Sequence, residues 1–517
     1  ITGGHKVGKN VIATANLGEN DNIQASSSRG PASDGRIKPD ISAHGNYQTS
    51  TDPNNTYASG GGTSAAAPGI AGCFTQLQHV YKTLNNGSDG PSALLKAVLL
   101  NTANDLGNDG PDFVHGWGKV NALKATVALE EGRYLSNSVS QGTNNTHTIN
   151  VPAGTSRLKV MVYWADPEGS TSAAQALVNN LDATMTDGSN VFFPWLLDTT
   201  ANAASLNQPA SRGVDNLNNV EQIAIDNPNA SSYTLTVSGN TIPFGSAQYW
   251  VTWEYISDTP VVIFPMGGEG LEPNTNVRIH WDAWNATDNF LVEYSLDGGN
   301  TWSPISTVLG SLRILTWTTP NVQSGQARIR ITQNGLSGMS AENFSLMRRP
   351  ENVRVDRICQ DDNQLILAWD PVEEAFNYDI FLLGSQYMDS IGSTTDTLFN
   401  VTVSDLSEEQ WLAVRANGIN GMRSNRTIAI PFEGLGSGGQ NSCVLSCKSD
   451  IDAGVQAITS SLPDGDLCNQ NVAQGLDILV ENLGDIDLGF VEVNFQVNDG
   501  PIVSEFLSGT LPSRSSL

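Results

Sequence analysis

The chain reads as a multi-domain protein, with a doubly wound α/β segment at its start and several all-β sandwich domains after it. Three observations predict this. Its 517 residues exceed a single domain and suit three to five. Up to about residue 128, short apolar strand runs alternate with helix-length runs. Beyond that point, short runs of alternating apolar residues separated by turn pairs take over, with many Asn, Gly, Ser and Thr.

Taken in order, residues 10–15 and 37–42 read as short buried strands. Residues 60–72, Gly-Gly-Gly-Thr-Ser-Ala-Ala-Ala-Pro-Gly-Ile-Ala-Gly, join a glycine-rich turn to a helix running from Ser64 to Leu84. Pro68 is tolerable there because it falls in the first turns, where few N–H bonds are lost. A second helix is predicted over 92–102 from Leu94, Leu95, Ala97, Val98 and Leu99, and a third after Gly116-Trp117-Gly118-Lys119-Val120-Asn121-Ala122.

Ser64 falls where the turn becomes the helix. Glycines allow close backbone approach to a substrate, and a helix N-terminus offers free N–H groups and positive potential. A serine there is suited to acyl transfer, and its own N–H can face the oxyanion that forms. Gly62, Thr63 and Ser64 are therefore the candidate oxyanion and substrate loop, with Ser64 the candidate nucleophile. An isolated Gly-Thr-Ser reads equally well as a helix cap. The surrounding motifs decide between the two: Gly62-Thr63-Ser64 with Ala66-Ala67-Pro68 and Ala71-Gly72 resembles the nucleophile segment of the subtilisin-like serine proteases, the subtilases. Upstream, Ser27-Ser28-Arg29-Gly30-Pro31, Asp34 to Ile41 and Gly8 to Ile12 resemble the family's preceding runs, in order. Gly69 stands where the family usually has His, and His44 where it usually has Pro; neither is a triad position.

The resemblance implies a triad in the chain order Asp, His, Ser, with an oxyanion Asn before the Ser, so all three partners of Ser64 are expected to precede Ile1. The chain is then expected to be a fragment, a partial subtilisin-like domain that is inactive as it stands and leans on the domain that follows. Of the six histidines, His5 alone lies before Ser64 in a glycine-rich turn, but Gly3-Gly4-His5-Lys6 lacks the family's histidine motif and reads as a surface turn. No His-Glu-x-x-His occurs, so a zinc protease is unsupported.

A net charge of −27 repels phosphate backbones, which argues against nucleic-acid binding, and no apolar run approaches a membrane span. Five cysteines do not make a disulfide framework. Cys73 reads as a small core residue, Cys359 ends a strand-like run, and one disulfide is expected among Cys443, Cys447 and Cys468, with Cys468 a partner.

Residues 129–256 read as a β sandwich, with strands in 158–164, 233–237 and 249–253. Residues 178–182 and 218–223 resemble the jelly-roll-like domain that follows the catalytic domain in one branch of alkaline subtilases. The resemblance implies that this domain packs on the catalytic domain and can carry structural calcium. Asp166, Asp182, Asp187, Asp215 and Glu221 are oxygen ligands of the right type, although turns also use Asp. Residues 257–349 form an Ig-like sandwich with one Asp-box-like turn at 295–302, too few for a propeller. Residues 350–433 resemble a fibronectin type III module, with Trp369 on an early strand. Gly434 to Gly439 reads as a linker, and residues 434–517 resemble a truncated bacterial adhesion-type (CARDB-like) module.

Two functions follow as expectations. One is a secreted or cell-surface bacterial serine endopeptidase acting on protein or peptide substrates, with no cofactor for its chemistry. The other is an extracellular binding protein whose β modules take a surface or matrix ligand and whose protease domain has degenerated. An intact Gly62-Thr63-Ser64 favours the first.

Overall fold

The structure is a computed structural model that describes residues 3–53, 56–171, 173–284, 287–359 and 362–435, and beyond these 443–445, 453–460, 476–482, 487–495 and 503–512. Cys447, Cys468, and Gly436 to Gly439 of the expected linker lie outside the described residues. Two compact units are present; the first comprises Ile1–Gly267, Asn276–Thr318 and Ala327–Asn343.

In the first unit, β1 (Thr14–Leu17) pairs in parallel with β2 (Ile41–His44). Both strands lie a few residues later than the apolar runs suggest. Asn10 is occupied elsewhere, donating through Nδ2 to the Asp166 carbonyl, and the Ala13 N–H goes to the Asp40 carboxylate (2.7 Å) instead of a ladder. Pro39 has no N–H to give, so β2 can form only past it. An exposed hairpin, β3 (Gln48–Asp52) with β4 (Thr56–Gly60), leads into the glycine turn.

Three helices follow: α1 (Thr63–Leu84), α2 (Ser92–Asn101) and α3 (Ala122–Glu130). They differ in burial. α1 buries only Ala66, Ile70 and Leu77, whereas α2 buries every residue from Leu94 to Asn101.

What covers α2 is the sandwich that follows. One sheet of that sandwich has the order β12 (Val220–Asp226), β7 (Arg157–Tyr163), β14 (Ser246–Ile256), β5 (Tyr134–Ser140). The other runs β6 (Asn144–Asn150), β13 (Ser232–Thr241), β8 (Asn180–Thr186), β9 (Val191–Phe192). Two short strands, β10 (Trp195–Leu196) and β11 (Ser211–Arg212), pair with each other.

Strand β7 explains its own sequence. Leu158, Val160 and Val162 point into the core between the two sheets, while Met161 and Tyr163 join a second core with Leu95, Val98 and Leu99 of α2. β12 divides the same way, Ile223 and Ile225 to one side and Val220 and Ala224 to the other. A strand covered on both faces carries a near-continuous apolar run, which residues 158–164 show apart from Lys159, whose charge is met by Glu254. Polar bonds stitch the end of α2 to this sheet: Asn101 Nδ2 donates to the Thr252 carbonyl, and Gln222 Nε2 to Asn101 Oδ1. The α/β segment and the sandwich thus share one hydrophobic core.

The first unit also holds the antiparallel strands Val261–Phe264, Asn276–Asp282 and Ile314–Thr318, and the pair Phe290–Ser295 with Ser303–Val308. Between that pair, Asp297 accepts from the Thr301 N–H (2.9 Å) and hydroxyl, which holds its carboxyl down at about 2. The indole of Trp302 donates to Gly299 O (2.9 Å), so the Asp-box-like turn is a self-contained hairpin.

The second unit comprises Gly268–Thr275, Thr319–Gln326 and Phe344–Leu517. Two four-stranded sheets close around a core that contains Trp369, Tyr378, Leu412 and Val414, with Trp369 edge-on to Tyr378 at 5.2 Å. Strand Arg354–Cys359 pairs in parallel with Cys443–Leu445. Cys359 is disulfide-bonded, a pairing that a search confined to Cys443, Cys447 and Cys468 misses. Of the 434–517 region, Leu476–Asn482 and Leu488–Phe495 are strands.

Candidate active site

Ser64 stands in the first turn of α1, and its side chain is exposed. The turn before it exists because Gly62 adopts φ of 97°, a left-handed conformation that L side chains rarely take. No side chain caps this helix; instead the Ala65 and Ala66 N–H groups fold back on Gly62 O at 3.0 and 3.2 Å. Among the described residues, the N–H groups of Thr63 and Ser64 are left without an acceptor. That arrangement suits a passing oxyanion, since orphan donors at a helix start attract negative charge.

Gly45, just after β2, supports the turn from below. A Cβ on Gly45 would sit 2.5 Å from Gly62 O and 2.6 Å from both the Ala66 N and Asn16 Oδ1, so only glycine lets the chain pass there. Sequence reasoning missed this residue; its only mark is a glycine directly after a strand.

None of the histidines reaches the serine. Among the described residues, Ser64 Oγ has no hydrogen-bond partner. His5 is exposed in a single 3₁₀ turn, His5–Val7, and His79 is exposed on α1. His44 Nε2 meets Asp21 Oδ1 at 2.6 Å, His115 meets Asp112 and His147 meets the Tyr249 hydroxyl. Burial holds His280 below the usual imidazole range, helped by nearby Lys119 and His44.

Elsewhere in the segment, three charges are buried together. Lys38 Nζ lies 2.5 Å from Asp40 Oδ2, and Lys96 Nζ 3.2 Å from Asp40 Oδ1. Burial, opposed by Asp40 and assisted by Lys96, brings Lys38 down to about 8.

The five oxygen ligands proposed for calcium divide into two groups. Asp166 is taken by Lys9 and by the N–H groups of Val178 and Asn179 (both 2.8 Å), and Asp187 closes an exposed turn on Ser189 and Asn190. Asp182, Asp215 and Glu221 lie within electrostatic reach of one another, although Asp215 also closes its own turn, accepting from the Leu217 and Asn218 N–H groups (2.8 and 3.2 Å) and the Asn218 side-chain amide (2.7 Å). Desolvation raises the Glu221 carboxyl well above its ordinary value, with Asp215 and Asp182 adding to the rise. Glu221 Oε2 accepts from the Ala183 N–H at 2.6 Å, but Glu221 Oε1, Asp182 Oδ1, Asn179 Oδ1 and Asn180 Oδ1 are buried with no partner. Among the described residues no three His, Cys, Asp or Glu side chains already converge as a metal cage.

The fold and this turn define a class: an α/β segment that presents a serine at the start of a helix behind a glycine turn. Residues 3–118 match the subtilase family. Serine protease/ABC transporter B family protein tagB of Dictyostelium discoideum is 26% identical over 309 residues, covering 44% of this chain and 16% of the relative. Thermitase of Thermoactinomyces vulgaris is 34% identical over 116 residues, 22% of this chain and 36% of the relative. C5a peptidase of Streptococcus pyogenes is 39% identical over 110 residues, 20% of this chain and 9% of the relative. The similarity to tagB extends over more of the chain than the 3–118 match, while the chain spans only about a sixth of that relative's length. A subtilase domain of the serine peptidase type therefore stands at the start of the chain.

Proposed function

We propose that the chain is part of a secreted serine endopeptidase in which Ser64 Oγ attacks the peptide carbonyl. A histidine and an aspartate outside this chain take and steady the proton, and the Ser64 N–H, with an asparagine also outside it, holds the oxyanion. The observation that carries the reading is an exposed, unpartnered Ser64 beside free helix-terminal N–H groups in a subtilase-family segment. By itself the chain is then inactive. A disulfide at Cys359 supports an oxidising, extracellular setting, and no helix among the described residues is long and apolar enough to cross a membrane.

Calcium is part of the proposal, as a structural ion held by Asp182, Asp215 and Glu221. The unpartnered oxygens of Glu221, Asp182 and Asn180 support this, because buried carboxylates without donors suit a hard cation. The fibronectin-like and adhesion-like readings of the later modules stand as proposals for spacer or binding roles. Ser64→Ala in the longer natural protein tests the whole reading: proteolysis is expected to vanish while module binding persists, and retained proteolysis would remove Ser64 from the mechanism.

A further inference from the structure

A cavity of about 700 Å³ opens in the first unit, away from Ser64, where α3, β7, β14 and the strand Asn276–Asp282 meet. Six cationic side chains line it: Lys119, Lys124, Arg133, Arg157, Lys159 and Arg313. Four carboxylates face them, Asp21, Asp105, Glu254 and Asp282. In a chain of net charge −27 the wall of this cavity carries more cations than carboxylates.

Most of these charges are matched within the protein. Lys119 pairs with Asp21, Lys124 with Asp282, Lys159 with Glu254, and Arg157 with Asp109 and Asp226. Arg133 is different. It is 7% exposed and its guanidinium lies over the Tyr255 ring; its Nε is buried with no hydrogen-bond partner, with only the exposed carboxylate of Glu131 nearby, at 3.0 Å. The wall supplies one further unpaired donor, the indole Nε1 of Trp195, in a side chain 6% exposed. Asp105 faces the cavity, and the protein packed around its carboxyl pushes it up to about 7, which lessens the negative charge of the wall at neutral pH. Trp117 and Trp284 contribute apolar surface.

We propose that this cavity binds a small aromatic carboxylate, its anion held by Arg133 and Trp195 Nε1 and its ring by the tryptophans. Its volume suits a small organic ligand, and buried donors left unpaired select an anion over a neutral isostere because either ligand desolvates them but only one satisfies them.

The test is calorimetric titration of the whole chain with indole-3-propionate and with its neutral amide. Saturable binding of the acid is expected, with the amide weaker by about tenfold or more, equivalent to about 1.4 kcal/mol. Arg133→Gln should erase most of the difference between the two, and Trp195→Phe should weaken the acid more than the amide. If Arg133→Gln does not fold, the Trp195→Phe result decides. Equal binding of acid and amide, no saturable binding of the acid at millimolar concentration, or wild-type affinity in the folded variants would overturn the assignment.

Discussion

The two long helices of the α/β segment meet opposite surroundings. α2 is buried along almost its whole length, between β7 and β14 on one side and α3 and α1 on the other. α1, twice as long, buries three residues and leaves Ser64, Gly69, Gly72 and His79 exposed. The side of the segment that faces the sandwich is finished by this chain's own residues. The side that carries the nucleophile is left exposed. In the proposed reading, the first side is the platform and the second is where the remaining catalytic groups would join.

The largest effect tests the platform. Residues 1–130 expressed by themselves lose Met161, Tyr163, Val220 and Ala224, which cover α2. That segment is expected to aggregate, and a soluble, cooperatively melting product would contradict the shared core. Within the whole chain, Leu99→Ala on α2, where Leu99 is fully buried, should cost about 2–5 kcal/mol in urea unfolding. Leu84→Ala at the exposed end of α1 should change stability by less than about 0.5 kcal/mol. Similar losses at the two positions would erase the contrast between the helices.

Calcium binding reads the buried carboxylates of the sandwich. Added calcium at about a hundredfold its Kd should stabilise the chain by about 2.7 kcal/mol, and Glu221→Gln should abolish the gain. A wild-type melting temperature insensitive to both calcium and chelator would exclude the ion.

The smallest effect concerns Lys38. Its folded value of about 8 lies below its ordinary 10.5, so between these values the unfolded chain holds more protons and stability rises with pH. Lys38→Met should remove that part of the slope between pH 8 and 10, read as the difference between variant and wild-type unfolding curves. An unchanged slope would mean that Lys38 is solvated in the folded protein.

Local features of this molecule were legible in the sequence. The glycine turn, Ser64 and the start of α1 appear where the Gly-Gly-Gly-Thr-Ser run predicts them, because positive φ and a helix start leave residue-level marks. The end of α1 at Leu84 and the span of α2 followed from apolar runs alone. β1 and β2 were displaced because Asp40 and Asn10 divert backbone and side-chain hydrogen bonds to partners that pattern cannot reveal. Long-range contacts were less legible. Asp166, Asp187 and Asp215 share one residue type, yet Asp166 is neutralised by Lys9, 157 residues away in sequence, while Asp187 and Asp215 close their own turns. The Cys359 disulfide and the cavity at Arg133 depend on segments far apart in the chain, which no local window joins.

The most direct measurement is covalent labelling of the proposed parent protease with a fluorophosphonate, followed by digestion and mass spectrometry. A phosphonyl adduct on Ser64, absent from the Ser64→Ala variant, is the predicted result. Labelling of a different serine, or proteolytic activity that survives Ser64→Ala, would contradict the assignment of the nucleophile.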